Sequence, residues 1–156
     1  MKNQELINYF KEKFNNLKQE LGFSSNLEEI DKIFFIKDYI LREGFVSENL
    51  SRQLRSRMTE LYVAWSNYLH SLIMPNPQNI LNLSESRIFD SEEKKEITEL
   101  MKKVMVVTSK NSLMSLTKEN EKEAEFIDYC VNFWNNEFKK DLIKIMTKIN
   151  QEWKRQ

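Results

Sequence analysis

The sequence predicts an all-α fold: a single-domain bundle of about five helices, antiparallel neighbours in succession, closed by a long C-terminal helix. Three observations predict it. The 156 residues hold only two glycines and two prolines, against average usage of about 7% and 5%, which leaves little room for the many turns of a β-sandwich or barrel. Apolar residues recur at three- and four-residue spacing in five segments. Glycines, prolines and capping patterns fall between those segments rather than inside them.

The first helix is expected over 2–21, where Leu6, Phe10, Phe14, Leu17 and Leu21 mark one face and Gly22 supplies a left-handed stop. The second, over 26–43, opens on Ser25-Asn26-Leu27-Glu28, read as a capping box, and stops at Gly44. Its middle, "IDKIFFIKDYIL", is apolar over more than half its circumference, which predicts the central helix of the bundle. The joints "GFSS" and "GFVS" share one design: glycine ends a helix, phenylalanine packs back, and serine caps the next helix. A third helix over 48–73 carries Leu50, Leu54, Met58, Leu61, Trp65, Leu69 and Leu72 inward and ends before Pro75 and Pro77. Residues 76–90 form the longest aperiodic connector, anchored by Ile80, Leu83, Ile88 and Phe89. Asp90 to Glu93 is a second box. It opens a fourth helix over 91–108, with Ile97, Leu100, Met101, Val104 and Met105 inward. The fifth, over 120–154, opens on a box-like Asn120 to Glu123 and presents Ile127, Val131, Trp134, Phe138, Leu142, Ile145, Ile149 and Trp153.

Composition excludes more functions than it suggests. Twenty-four basic and 24 acidic residues cancel, and the balance holds along the chain, so no segment is a polyelectrolyte tail for nucleic acid or anionic lipid. One cysteine permits neither an intrachain disulfide nor a cysteine-rich zinc site. With each glycine placed at a helix joint, no phosphate-cradling loop is available. No apolar run approaches the ~20 residues of a membrane span, and the amphipathic start lacks the apolar core of a signal peptide. A cytoplasmic protein without cofactor or metal is the expectation.

Single residues are weighed against their structural alternatives. His70, the only histidine, falls opposite the apolar stripe of the third helix, and position 67 is Asn where a Glu-x-x-His metal pair needs Glu; an exposed histidine is expected. Cys130 lies at the margin of an apolar face and reads as a small buried hydrophobe. Half of the six arginines sit in "SRQLRSRM". Arg52 and Arg55, three apart, are placed to hold an anion together, or to pair with Glu48 or Glu60 on a solvated face. Lys140, Lys144 and Lys148 form a second basic stripe at four-residue spacing, with Glu137, Asp141 and Glu152 near enough to offset it.

One feature exceeds what a one-sided helix needs. Phe126, Tyr129 and Phe133 form a second aromatic face on the last helix, which must be covered either by residues 76–90 or 108–119 or by a partner. The function expected is non-catalytic: a helical interaction or regulatory protein acting through helix faces on a protein partner or on itself, as a homodimer. The alternative is a small nucleic-acid-associated subunit using Arg52, Arg55 and the Lys140/Lys144/Lys148 stripe; general nucleic-acid affinity is not expected from the charge balance.

Overall fold

The computed structural model describes residues 2–155, which form seven helices and no strand among the described residues. They are α1 (Asn3–Leu21), α2 (Leu27–Phe34), α3 (Ile36–Glu43), α4 (Leu50–Ile73), α5 (Ile80–Ser86) and α6 (Ser91–Thr117), followed by one long rod. That rod comprises α7 (Asn120–Phe133), a π-helical turn (Trp134–Phe138) and α8 (Lys139–Arg155). Gly22 and Gly44 stop α1 and α3 in the left-handed region, at φ +83° and +80°, where a side chain would be strained.

The count exceeds five for physical reasons. The expected second helix breaks at Phe35, which takes φ +52° and ψ +47°. Its N–H donates to the Asp31 carbonyl, while the Asp31 side chain accepts from the Lys37 N–H at 2.9 Å and bridges the break. A straight helix would spread Ile33, Phe34, Ile36 and Ile40 around its circumference. The break re-aims the chain so that Phe34, Ile36 and Ile40 are all fully buried, against a left-handed cost of about 1–2 kcal/mol for a non-glycine residue. Residues 76–90 contain α5, whose first amides bond the Asn79 side chain.

α6 runs to Thr117 and not to residue 108. The hydroxyls of Thr108, Ser109, Ser112, Ser115 and Thr117 donate back to helix carbonyls three or four residues earlier, so they are satisfied without leaving the helix. Capping follows the sequence in part. Asp90 and Glu93 form both arms of their box. Before α2 the cap is Asn26, accepting from the Glu29 N–H at 2.8 Å, and Ser25 is engaged elsewhere. Before α4 it is Asn49, and before α7 no side chain caps. Of the two joint phenylalanines, Phe23 packs edge-on against Phe14, whereas Phe45 is 53% exposed.

The central helix is α4, which packs against α1, α2, α3, α5, α6 and α7. Its buried face is rotated slightly from the expected stripe: Tyr62 and Ser66 are buried, and Leu61 and Trp65 lie at the margin. Tyr62 belongs inside because its hydroxyl donates to the Cys130 carbonyl and its ring meets Phe34, Phe133, Trp134 and Phe138 at centroid distances of 5.2–6.1 Å. The buried apolar residues of every helix except α5 form one connected core.

Candidate functional site

α6 has two apolar faces. At about 100° per residue, Ile97, Leu100, Val104, Val107 and Met114 gather on one side, and all are buried. Met105, Val106, Leu113 and Leu116 gather on the opposite side and stay exposed, at 52%, 43%, 53% and 80%. The inward placement expected for Met105 is therefore corrected: it lies a full 100° step beyond Val104, past the edge of the core face. Between Val104 and Thr117 the only charged residue is Lys110, and its Nζ sits 3.8 Å from the centre of the Tyr129 ring. Ser109 and Ser112 lie among the exposed apolar residues with their hydroxyls returned to the helix. The outcome is an uncharged outer face of small and apolar side chains. Contiguous exposed apolar surface of this kind marks interaction sites. Ion pairs flank it, Lys102–Glu99 at 2.8 Å before it and Lys122–Glu119 at 3.3 Å after it.

The aromatic face of α7 lies elsewhere than on the surface. Phe126 and Phe133 are 2% and 6% exposed. Phe133 stacks on Tyr62 of α4 at 5.5 Å and 17°, and Tyr129 is half-buried beneath Lys110. Burial pushes the Tyr129 phenol above its ordinary pKa. The cover comes from residues 108–117, now part of α6, together with α4, so these three residues are internal packing and do not form a free partner surface.

Arg52 and Arg55 reach the same cleft without forming a joint anion grip. The cleft, of about 1030 Å³, lies among α1, the α3–α4 joint and the ends of α4, α6 and α7. Arg55 is 2% exposed. Its Nη1 donates to Asn111 Oδ1 at 2.7 Å and its Nη2 to Glu123 Oε1 at 3.2 Å, where Ser51 Oγ also donates at 3.0 Å. Burial lowers the Arg55 pKa and Glu123 opposes that shift. Glu123, expected in a capping box, thus reaches across to α4 instead. Only Arg52 remains on the surface, and lining carboxylates of Glu20 and Glu48 balance the cations Lys13 and Lys118.

The lysine stripe is largely answered by α6. Lys148 Nζ donates to Glu93 Oε1 at 2.7 Å and Lys144 lies 3.8 Å from Glu96, leaving Lys140 exposed without an ion pair among the described residues. The Lys148 hydrogen bond holds the Glu93 carboxyl below its usual pKa. Lys144 and Lys148 border a groove between α6 and α8, separate from the arginine cleft, so the two basic groups do not make one track.

His70 is exposed on α4. Cys130 is fully buried, and burial pushes its thiol far above the ordinary value, the opposite of what a nucleophile needs. Among the described residues no three His, Cys, Asp or Glu side chains are grouped to hold a metal ion, and no helix is long and apolar enough to cross a membrane. No protein-family model, curated protein or solved structure matches the chain. Sequence reasoning missed the α6 face. Its signal was present in Met105, Leu113 and Leu116, spaced eight and three apart, but the β-branched and hydroxyl residues between them read as a helix ending.

Proposed function

We propose that the chain is a non-catalytic helical interaction protein that docks a protein partner through the outer face of α6. The observation that carries this reading is the second apolar face of a long helix, opposite its core face and free of charge from Val104 to Thr117 except for the occupied Lys110. A helix apolar on two sides is normally covered on both, and here the chain covers one. The buried thiol and the exposed, isolated histidine offer no acid–base or nucleophilic pair to set against it.

A photoreactive residue placed at Leu116 tests this, with Lys95, a solvated position on the same helix, as control. In cells expressing the full chain, Leu116 should give a discrete cross-linked adduct and Lys95 should not. Equal labelling at both positions, or none at Leu116, would remove the docking role.

A further inference from the structure

We infer that the groove between α2, α4 and the π-helical turn is a binding site for a small aromatic monoacid, a flat ring system carrying one carboxylate. The groove is separate from the outer face of α6 and does not depend on the docking role proposed there.

Its make-up is that of a ligand site. It encloses about 520 Å³, within the roughly 300–1,000 Å³ of small-molecule sites, which are mostly apolar with a few placed polar groups. Ile33 and Leu61 line it together with the rings of Phe35, Trp65 and Trp134. Two of those rings are held by neighbours. Trp134 packs on Tyr62 and Phe138 at centroid distances of 6.1 and 5.6 Å, and Trp65 meets Tyr68 edge-on at 6.3 Å. Both tryptophans are half-buried. Aromatic walls ordered in advance receive a flat molecule at little cost in side-chain freedom.

Phe35 is strained where it stands. The burial of Phe34 and Ile36 explains why the chain turns left-handed at this position, but not why phenylalanine does the turning. Glycine takes a φ of this sign without strain, whereas Phe35 holds φ +52° with its residue 53% exposed, so the ring gains little from the fold. What phenylalanine adds here is an aromatic wall on the groove. On the long rod the same groove meets the π-helical turn, whose first residue is Trp134. Such turns recur at functional sites.

The charges along the groove select the head group. Glu29 is already engaged: its Oε1 accepts from the Asn135 amide at 3.2 Å, which ties α2 to the π-helical turn. Lys32 and Lys139 border the groove, are exposed, and are without an ion pair among the described residues. Two ammonium groups are therefore free to receive one carboxylate, whereas an aromatic cation would be repelled by both.

Titration of naphthoate into the isotope-labelled full chain tests this, read from the indole N–H signals of the three tryptophans. Trp65 and Trp134 should shift and saturate with a midpoint of about 0.1–1 mM. Trp153, whose Nε1 donates to Glu85 at 2.8 Å away from the groove, should not move. Neutral naphthamide should bind about fivefold more weakly, and naphthylmethylamine more weakly still. Lys32→Gln combined with Lys139→Gln should bring naphthoate down to the level of the amide. Phe35→Gly should weaken naphthoate about fivefold with the circular dichroism of the folded chain retained. Equal affinity for acid and amide, or tighter binding of the amine, overturns the acid as occupant. No movement of Trp65 and Trp134 at about ten times the expected midpoint, or equal movement of Trp153, overturns the site itself. Unchanged affinity in a folded Phe35→Gly does the same, and the exposed lysine pair tests the groove independently should that variant fail to fold.

Discussion

Two adjoining stretches of helix carry more apolar surface than one buried face needs, and the fold treats them oppositely. On α7, Phe126, Tyr129 and Phe133 form a second face that the chain covers itself, with Tyr62 stacked on Phe133 and Lys110 lying over Tyr129. On α6, Met105, Val106, Leu113 and Leu116 form a second face that nothing among the described residues covers. The two outcomes are linked. The second half of α6 serves as part of the cover for α7, and in turning its Val107 and Met114 side inward it turns the opposite side out. Aromatic richness is therefore a poor guide to which face a fold leaves free; what decides is whether another element of the same chain can reach it.

The largest expected effect breaks the covered side. Phe133→Ala removes a ring that touches Tyr62, Tyr129 and Phe138 at 5.4–6.0 Å, and should cost about 3–5 kcal/mol, as for other large-to-small aromatic substitutions in cores. Chemical denaturation gives the measure. A loss under about 1 kcal/mol would mean that the α7 face is not packed as described, and the contrast with α6 would lose one of its terms.

How much of this could be read in the sequence depends on range. Stops and boxes made of neighbouring residues were legible: Gly22, Gly44, Asp90 with Glu93, and the exposed His70. So was the helical period itself. What failed needed knowledge of a residue's distant partner. Glu123 looked like a capping residue and instead reaches Arg55 and Ser51. Ser25 looked like a cap and instead binds Asp128, 103 residues away. Tyr62 was passed over because a hydroxyl on the core face counts against burial until the Cys130 carbonyl is known to receive it. The left-handed Phe35 carries no local signal at all: neither glycine nor asparagine marks it, and only the burial of Phe34 and Ile36 on either side accounts for the break.

A smaller effect sharpens the comparison by asking what holds cover onto α7. The α1–α2 joint is fastened to it by Asp128, which accepts from the Ser24 and Ser25 amides and hydroxyls at 2.7–3.2 Å. The outer side of α6 has no such clamp. Burial raises the Asp128 pKa, but the hydrogen bonds from Ser24 and Ser25 outweigh it, and the carboxyl titrates below its ordinary 3.8. Because the folded value is depressed, the contribution is complete above the unfolded value and is lost as the pH falls through the folded one. Asp128→Asn should thus cost about 2 kcal/mol near pH 7, with the gap from wild type narrowing in acid below about pH 4. A gap that stays constant from pH 7 to pH 2.5 would show that the Asp128 charge is not what fastens the joint.

The smallest effect is expected where the largest apolar exposure lies. Leu116 is 80% exposed, so Leu116→Ser removes little surface that folding buries, and the hydroxyl can return to a carbonyl one turn back as its neighbours' do. Monomer stability should move by less than about 0.5 kcal/mol, the range of ordinary surface substitutions, when measured at a protein concentration too low for association. If the face docks a second copy, at high concentration the same substitution should lower the apparent melting temperature relative to wild type, because an associated state open only to folded chains adds stability by mass action. The concentration dependence is the informative quantity. A core leucine would cost the same at every dilution, whereas an interface leucine costs only where there is something to dock against. A loss above about 2 kcal/mol that persists on dilution would place Leu116 inside the fold, and α6 would then have one face, as any ordinary helix of the bundle does.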